Sequence, residues 1–452
     1  MVPGGRDRFV DLLRGGSIVA VVVGHWLVAD LGWSLELGPR GRLTLVSSLA
    51  EVPALWPATW LAVVIPVFFF VGGYANLRSW AGTRGRGEGY ASFVDRRVHR
   101  VLAPTALYLV VVGSVGLAAD IVGGVGLRAM GGVLLQPLWF LGVYLVITAL
   151  VPVTLRAHER FGVAALAVLV AVVLGLDLAR YAAGVPAAGY ANVLVVWLLM
   201  HQLGYLYADG TLSGTPDDWR RPTALAVGGL VAATALVAWG PYPATMVGVP
   251  GGEGGNMHPP TLAMTMLGLA QIGLLLVVRA PLLRWLERPR VWSAVVAVNL
   301  TVVSIYLWHQ AALTLAARVV LPWGLGEPTP GGVAWWVDRA FWLVLPGLVL
   351  AGIVAVVGWA ERLDPPRPIP AGPGTSAAAA LAVALVMVGY LSLSGSSATE
   401  PMDPGQSLGP VTASPALGVG ALLLAWLVLT AARSARPRPL RPEAGTAPRL
   451  TR

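Results

Sequence analysis

The residues that could carry chemistry lie first in one apolar stretch, Arg8 to Trp26, which has the length of a membrane-spanning helix. Beyond Arg8 at its start, it contains the ionisable side chains Asp11, Arg14 and His25. Arg14 and His25 are about three helical turns apart, so they share nearly one helix face at a separation of roughly 16 Å along the axis. Because ionisable groups inside a span are costly, this stripe predicts a functional site that faces a protein cavity and not lipid.

Each of these side chains has a chemical and a structural interpretation. A neutral imidazole at His25, near the membrane midplane, could remove the proton of an acceptor hydroxyl as a general base, or it could hydrogen-bond a neighbouring helix. Arg14 remains protonated and could bind a phosphate or carboxylate. Asp11 lies one turn before Arg14, so the two could instead form an ion pair that closes the helix bundle.

The composition indicates a polytopic membrane protein. Of the 452 residues 56% are hydrophobic and only 12% are charged, and the mean hydropathy is +0.72. All 31 basic residues are arginine, which with the abundant Ala and Gly suggests a GC-rich, bacterial coding sequence. The net charge of +9 then reflects basic loops and not nucleic-acid binding. The absence of Cys excludes disulfides and an acyl-cysteine intermediate, and no metal-ligand cluster is visible.

Elements that could position these side chains are predicted from apolar runs. The expected fold is an all-α membrane bundle of twelve spans, a ten-helix core plus a C-terminal pair. The runs cover residues 9–29, 60–77, 101–119, 134–153, 162–179, 190–207, 222–240, 261–278, 294–320, 336–359, 377–393 and 416–432. If both termini and the even-numbered connections are cytoplasmic, that face holds 25 of the 31 arginines, so the positive-inside rule predicts this orientation.

The chain divides at its Pro-rich segments. Residues 1–362 are predicted to form the ten-span domain, 363–376 a Pro-rich linker, 377–432 a two-helix extension and 433–452 an Arg/Pro-rich cytoplasmic tail that could touch anionic lipid. The extension has no His and no charge within its spans. It is therefore expected to be dispensable for chemistry.

Several motifs, taken together, resemble the acyltransferase 3 family of integral membrane acyltransferases. The opening helix has Asp11-Leu-Leu-Arg14-Gly15 and then Gly24-His25. At the cytoplasmic mouth of the third helix, Arg97-Val-His-Arg100 is followed by Pro104. Further landmarks occur in the family's order: Pro66 to Tyr74 in the second helix, Pro137 to Tyr144 in the fourth, and Ser304 to His309 in the ninth. The resemblance covers about residues 6–360.

The resemblance implies an enzyme that transfers acyl groups other than aminoacyl groups. The donor would be cytoplasmic acyl-CoA, commonly acetyl-CoA, and the acceptor a hydroxyl of a cell-envelope carbohydrate or lipid-linked glycan. By this analogy His25, with Asp11, belongs to the catalytic site, and Arg14, Arg97 and Arg100 bind the donor, because forked guanidinium groups suit phosphates. Whether His25 acts as a base or is transiently acylated stays open, as do the acceptor, the acyl length and the oligomeric state.

A wider set of polar-tipped residues could bind substrate, although most of them could equally be packing residues. These are Tyr74, Trp139, Tyr144, Tyr306, His309 and Asn256. Some family members add a soluble hydrolase-like domain after the helices; here two spans and a tail follow, so a separate partner enzyme could supply such a step.

Two other functions have to be weighed. A multi-span transporter or exporter of a glycan or lipid would usually place carboxylates deep in the bundle. Here Asp30, Asp120, Asp177 and Asp338 lie near predicted outer helix ends, which disfavours coupled transport. A non-catalytic scaffold would leave the charged stripe of the first helix unexplained. The predicted location is the plasma membrane.

Overall fold

The structure is a computed structural model of the full chain. It describes residues 7–34, 42–121, 131–212, 219–249, 254–320, 331–396, 407–408, 411–412 and 414–435. The predicted tail, 433–452, lies mostly outside these residues.

The described part is all-α apart from two short antiparallel hairpins. The hairpins are β1 (Ala29–Ser34) with β2 (Arg42–Ser47), and β3 (Ser407–Leu408) with β4 (Val411–Thr412). The helices are α1 (Arg8–Val28), α2 (Ser48–Glu51), α3 (Thr59–Ala62), α4 (Ile65–Gly85), α5 (Tyr90–Ile121), α6 (Gly131–Leu135), α7 (Leu138–Ala149), α8 (Val151–Phe161), α9 (Val163–Tyr181), α10 (Ala188–Ala208), α11 (Arg220–Trp239), α12 (Leu262–Val277), α13 (Arg279–Trp285), α14 (Pro289–Leu300), α15 (Val302–Val320), α16 (Val333–Val357), α17 (Pro373–Ser394) and α18 (Pro415–Arg433). Two 3₁₀ turns cover Pro53–Ala58 and Gly358–Arg362.

These helices confirm the predicted multi-span membrane bundle. Within the described residues nine helical segments are long and apolar enough to cross a membrane, and three further bent helix pairs bring the number to twelve if each pair is one span. The bent pairs coincide with the fourth, eighth and ninth predicted runs. Among the described residues, the predicted number of twelve is reached only when each bent pair is counted as one span.

The breaks have identifiable causes. The first pair bends by 55° just before Pro152, and the second by 57° just before Pro281, where a proline ring disfavours a continuous helix. The third pair, α14 and α15, bends by 77° at Thr301. There the Glu361 carboxylate accepts hydrogen bonds from the backbone amides of Val303 and Ser304, at 3.1 and 2.6 Å, and so caps the new helix.

Helix α1 lies inside the bundle, where it contacts α4, α14, α15 and α16. Its neighbour α4 crosses α10 at close range, because Gly73 and Gly204 face each other and a Cβ on either would overlap the opposite backbone. The result is a bundle in which α1 can present its polar stripe only to other helices and to a cavity.

The C-terminal pair, α17 and α18, packs on the core and does not stand apart from it. Helix α17 lies against α7 and α5, and the Tyr390 hydroxyl is 3.1 Å from the Thr105 hydroxyl. Arg433, at the end of α18, donates two hydrogen bonds to Asp95 of α5, at 2.7 and 3.1 Å. The Asp95 side chain is only 2% exposed. The extension therefore neutralises a buried carboxylate next to Arg96 and Arg97.

That the C-terminal pair is dispensable for chemistry stays a prediction, and the ion pair adds a prediction about stability. Arg433→Ala should lower the free energy of unfolding by about 3–5 kcal/mol, because it leaves the Asp95 carboxylate buried and unpaired. Thermal unfolding in detergent micelles measures the loss. The double variant Asp95→Asn/Arg433→Gln removes both charges and should be more stable than Arg433→Ala. Equal stability of wild type and Arg433→Ala would show that the C-terminal pair does not support α5.

Candidate functional site

A cavity of about 400 Å³ runs beside the second half of α1. It begins at Ser17, one turn beyond Arg14, passes His25 and reaches Ala29 at the start of the first hairpin. The opposite wall comes from α4, α7 and α15 and from the segment around Met257 and His258. We call this space the central cavity. The volume lies in the range of small-molecule sites.

His25 meets a second histidine at the wall of the central cavity. Its Nδ1 lies 2.9 Å from Nε2 of His309 in α15, and the two rings stack at 14° with centroids 5.1 Å apart. The Trp26 indole N–H donates to the His309 backbone carbonyl at 3.2 Å. His309 is fully buried, whereas His25 is partly exposed where it lines the cavity.

The hydrogen-bond chain assigns the tautomers when both rings are neutral. His309 Nδ1 lies 2.5 Å from the Tyr306 carbonyl, which can only accept, so this nitrogen carries the proton. His309 Nε2 is then an acceptor, and His25 Nδ1 donates to it. This leaves Nε2 of His25 without a proton. The basic nitrogen of His25 is therefore the one that does not contact His309.

Arg14 is held in place by two groups. It lies 3.5 Å from the Asp11 carboxylate, as the ion-pair interpretation predicts. Its Nε donates to the side-chain oxygen of Asn299 at 2.6 Å, and the amide nitrogen of Asn299 donates in turn to the Asp11 backbone carbonyl at 2.8 Å. One third of the Arg14 side chain stays exposed. Both Arg14 and His25 thus contact the broken pair α14–α15.

A group of guanidinium cations lies at the Arg14 end of the bundle. Arg97 of α5 is close enough to Arg14, Arg96 and Arg100 to interact electrostatically with each of them; we call these four residues the arginine cluster. Arg96 pairs with Glu88, a carboxyl whose pKa is lowered by its hydrogen bonds from Arg86 and Arg96. Within the described part of the chain, Arg97 and Arg100 form no hydrogen bond and no close ion pair, so they can bind an anion.

The predicted substrate residues divide between several places. Trp139 and Tyr306 line the central cavity, and the Tyr306 hydroxyl donates to the Pro137 carbonyl at 2.8 Å. Tyr144 lies near Arg97, on the side of the arginine cluster. Tyr74 is farther along the same side, where its ring is 5.9 Å from the Arg78 guanidinium.

Asn256 is buried and does not line the central cavity. Its amide nitrogen donates to the carbonyls of Pro243 and Thr245 at 2.7 and 2.9 Å, and its oxygen accepts from Thr261 at 2.9 Å. The structure therefore uses this side chain to shape the loop that carries His258.

Sequence reasoning did not single out three residues that the structure brings to the site. Asn299 holds Arg14, while His258 and Gln310 line the central cavity with His25. Gln310 follows His309 directly, and His258 follows Asn256 by two residues, so both positions were adjacent to predicted ones. No sequence signal marks Asn299, because its role depends on the bend at Thr301.

The arrangement provides two chemically different regions along α1. At one end, the guanidinium groups of Arg97 and Arg100 can bind a phosphorylated molecule. About three turns farther, an imidazole nitrogen faces a cavity that can hold a hydroxyl-bearing molecule. No group of three or more potential metal ligands occurs among the residues that the structure describes.

Comparison with known proteins identifies the family of this chain. Neither a curated protein nor a solved structure gives a significant match to the chain. The sequence profile of the acyltransferase 3 family, described as an acyltransferase domain, matches residues 7–360. This match covers more than half of the chain and includes the arginine cluster, His25 and His309. The chain therefore belongs to the acyltransferase 3 family of membrane acyltransferases.

Proposed function

We propose that this protein transfers an acyl group, commonly acetyl, from cytoplasmic acyl-CoA to a hydroxyl of a cell-envelope carbohydrate or lipid-linked glycan. The observation that carries the proposal is the hydrogen-bonded pair of His25 and His309 at the central cavity. Family membership supports acyl transfer, and the guanidinium groups of Arg97 and Arg100 support a phosphorylated donor.

The donor is proposed to bind at the arginine cluster. Arg97 and Arg100 would contact its phosphate groups, and Arg14, fixed by Asp11 and Asn299, would neutralise charge nearer the bundle interior. The central cavity begins one turn beyond Arg14, so the acyl-bearing arm of the donor can extend along α1 toward His25. Since the arginine-rich segments are proposed to be cytoplasmic, both termini and the donor would lie on that side of the plasma membrane.

His25 is proposed to act as general base through Nε2. It takes the proton of the acceptor hydroxyl while the hydroxyl oxygen attacks the thioester carbonyl carbon. The new carbon–oxygen bond forms, the carbon–sulfur bond breaks, and the imidazolium returns its proton to the departing thiolate. Asp11 would act only through Arg14. A transiently acylated His25 would use the same nitrogen as nucleophile.

The buried carboxylates of Asp177 and Asp95 give no support to coupled transport. Asp177 is buried, but its oxygens accept hydrogen bonds from the Asn192 amide, the Tyr242 hydroxyl and the Leu262 backbone amide, at 2.8, 3.0 and 2.7 Å. Asp95 is paired with Arg433. Both carboxylates are thus engaged in structural contacts and are not poised to bind a transported ion.

Comparative mass spectrometry of cell-envelope glycans and lipids tests the proposed function. A host that expresses the chain should acquire envelope molecules heavier by one acyl group, and one that expresses His25→Ala at equal membrane abundance should not. Identical spectra for the wild type and an empty vector would contradict acyl transfer. Uptake or export of a glycan without acyl-CoA consumption would favour the transporter.

A further inference from the structure

Hydrogen bonds from beyond the family profile reach the first half of α5. The profile ends at residue 360, and the groups that make these bonds belong to the Pro-rich linker and to the C-terminal pair, α17 and α18. The residues of α5 that take part are Ser92, Asp95 and Thr105. Arg97 and Arg100, which are proposed to bind the donor, lie between these points along the helix.

The linker holds Ser92 through a reciprocal pair of hydrogen bonds. The Ser92 hydroxyl donates to the Ile369 backbone carbonyl at 3.0 Å and accepts from the Ile369 backbone amide at 2.9 Å. A Cβ on Gly89 would lie only 3.1 Å from the Cβ of Ala371, so the linker packs closely on the start of α5. Four prolines between residues 365 and 370 restrict the backbone on both sides of Ile369. The linker is therefore a stiff support for the first turn of α5.

The supported residues and the arginines lie on different faces of α5. Ser92 and Asp95 are three residues apart and share one face, whereas Arg97 and Arg100 lie roughly 140° around the helix from them. Arg433 donates two hydrogen bonds to the Asp95 carboxylate, so it fixes the rotation of the helix as well as its position. The direction in which the two arginines point is thus set from the far side of α5.

From this geometry we infer that the linker and the C-terminal pair position the donor-binding arginines. Ser92 and Arg433 are positioning residues in this role, because they act on the donor only through α5. A shift of the helix by about 1 Å would misalign the forked guanidinium groups with the donor phosphates. His25 and His309 lie on α1 and α15, so the chemical step itself does not depend on these contacts. The inference rests on the proposed function.

Two serines provide a matched test. Ser392 of α17 repeats the geometry of Ser92: its hydroxyl donates to the Ser414 carbonyl at 2.9 Å and accepts from the Ser414 amide at 3.0 Å. Both serines are buried, with 1% of Ser92 and 2% of Ser392 exposed. However, Ser392 joins α17 only to the start of α18. Ser92→Ala and Ser392→Ala therefore remove equivalent hydrogen bonds and should lose similar thermal stability.

Equilibrium binding of acetyl-CoA, and transfer of its radiolabelled acetyl group to an envelope-glycan extract, are measured on each purified full-length variant. In Ser92→Ala the dissociation constant for acetyl-CoA should rise about threefold to tenfold, while the maximal rate of transfer stays close to that of the wild type. Ser392→Ala should bind acetyl-CoA as the wild type does. Equal binding by the two variants, whether unchanged or weakened, would overturn the inference.

A second variant provides the test if Ser92→Ala does not fold. Asp95→Asn/Arg433→Gln removes the two-pronged contact without changing the net charge, and should also weaken acetyl-CoA binding. Loss of the Asp95 carboxylate close to Arg97 would by itself favour an anion, so weaker binding must come from geometry. Binding as tight as that of the wild type, or tighter, would overturn the inference. A wild type that neither binds acetyl-CoA nor transfers its acetyl group would instead reject the proposed function.

Discussion

Replacing His25 with alanine should reduce acyl transfer by about 10²–10⁴-fold, the range typical of a lost general base. The binding of acyl-CoA should stay nearly unchanged, because His25 lies roughly 16 Å along the helix from Arg14. Transfer rates and acyl-CoA binding are measured on the same purified variant. Full transfer activity in His25→Ala would reject the proposed role of the imidazole.

His309 allows a test that distinguishes proton positioning from packing. In His309→Gln the side-chain oxygen can still accept the hydrogen bond from His25 Nδ1, so the tautomer with a basic Nε2 is retained. His309→Met has similar length but no strong acceptor, and should lose about 10–100-fold in rate, as positioning groups commonly do. If transfer falls equally in both variants at equal thermal stability, His309 contributes packing alone.

Removing Arg97 and Arg100 together should raise the half-saturating concentration of acyl-CoA by about a hundredfold or more. Each hydrogen bond to a charged group contributes about 1.5–3 kcal/mol, and a factor of ten corresponds to about 1.4 kcal/mol. Neither arginine forms a hydrogen bond or close ion pair with a described residue. Arg100 interacts at longer range with the Glu361 carboxylate, whose two backbone hydrogen bonds remain in the double alanine variant. Equilibrium binding of acetyl-CoA measures the effect directly.

The matched control uses two other exposed arginines. Arg156 and Arg160 lie one turn apart on α8, away from the arginine cluster, and both are exposed. Arg156→Ala/Arg160→Ala removes the same net charge and should bind acetyl-CoA as the wild type does. If both double variants weaken binding equally, the effect arises from net charge; if neither does, Arg97 and Arg100 do not bind the donor.

The sequence alone determined the class of protein and the helix along which the site lies. Twelve apolar runs followed from the length of helix that a bilayer requires, and the helical period placed Arg14 and His25 on one face of α1. The motifs shared with the family pointed to Arg97 and Arg100. These features are local, because they depend on spacing within one helix or one loop.

Tertiary structure decided which groups meet. The bend at Thr301, capped by Glu361 from a distant 3₁₀ turn, directs Asn299 to Arg14 and His309 to His25. The pairing of Arg433 with Asp95 likewise joins segments 338 residues apart. Helical periodicity fixes only the face of a helix and not its neighbour. The histidine pair and the contacts of the C-terminal helices therefore emerge only when the packed bundle brings distant segments together.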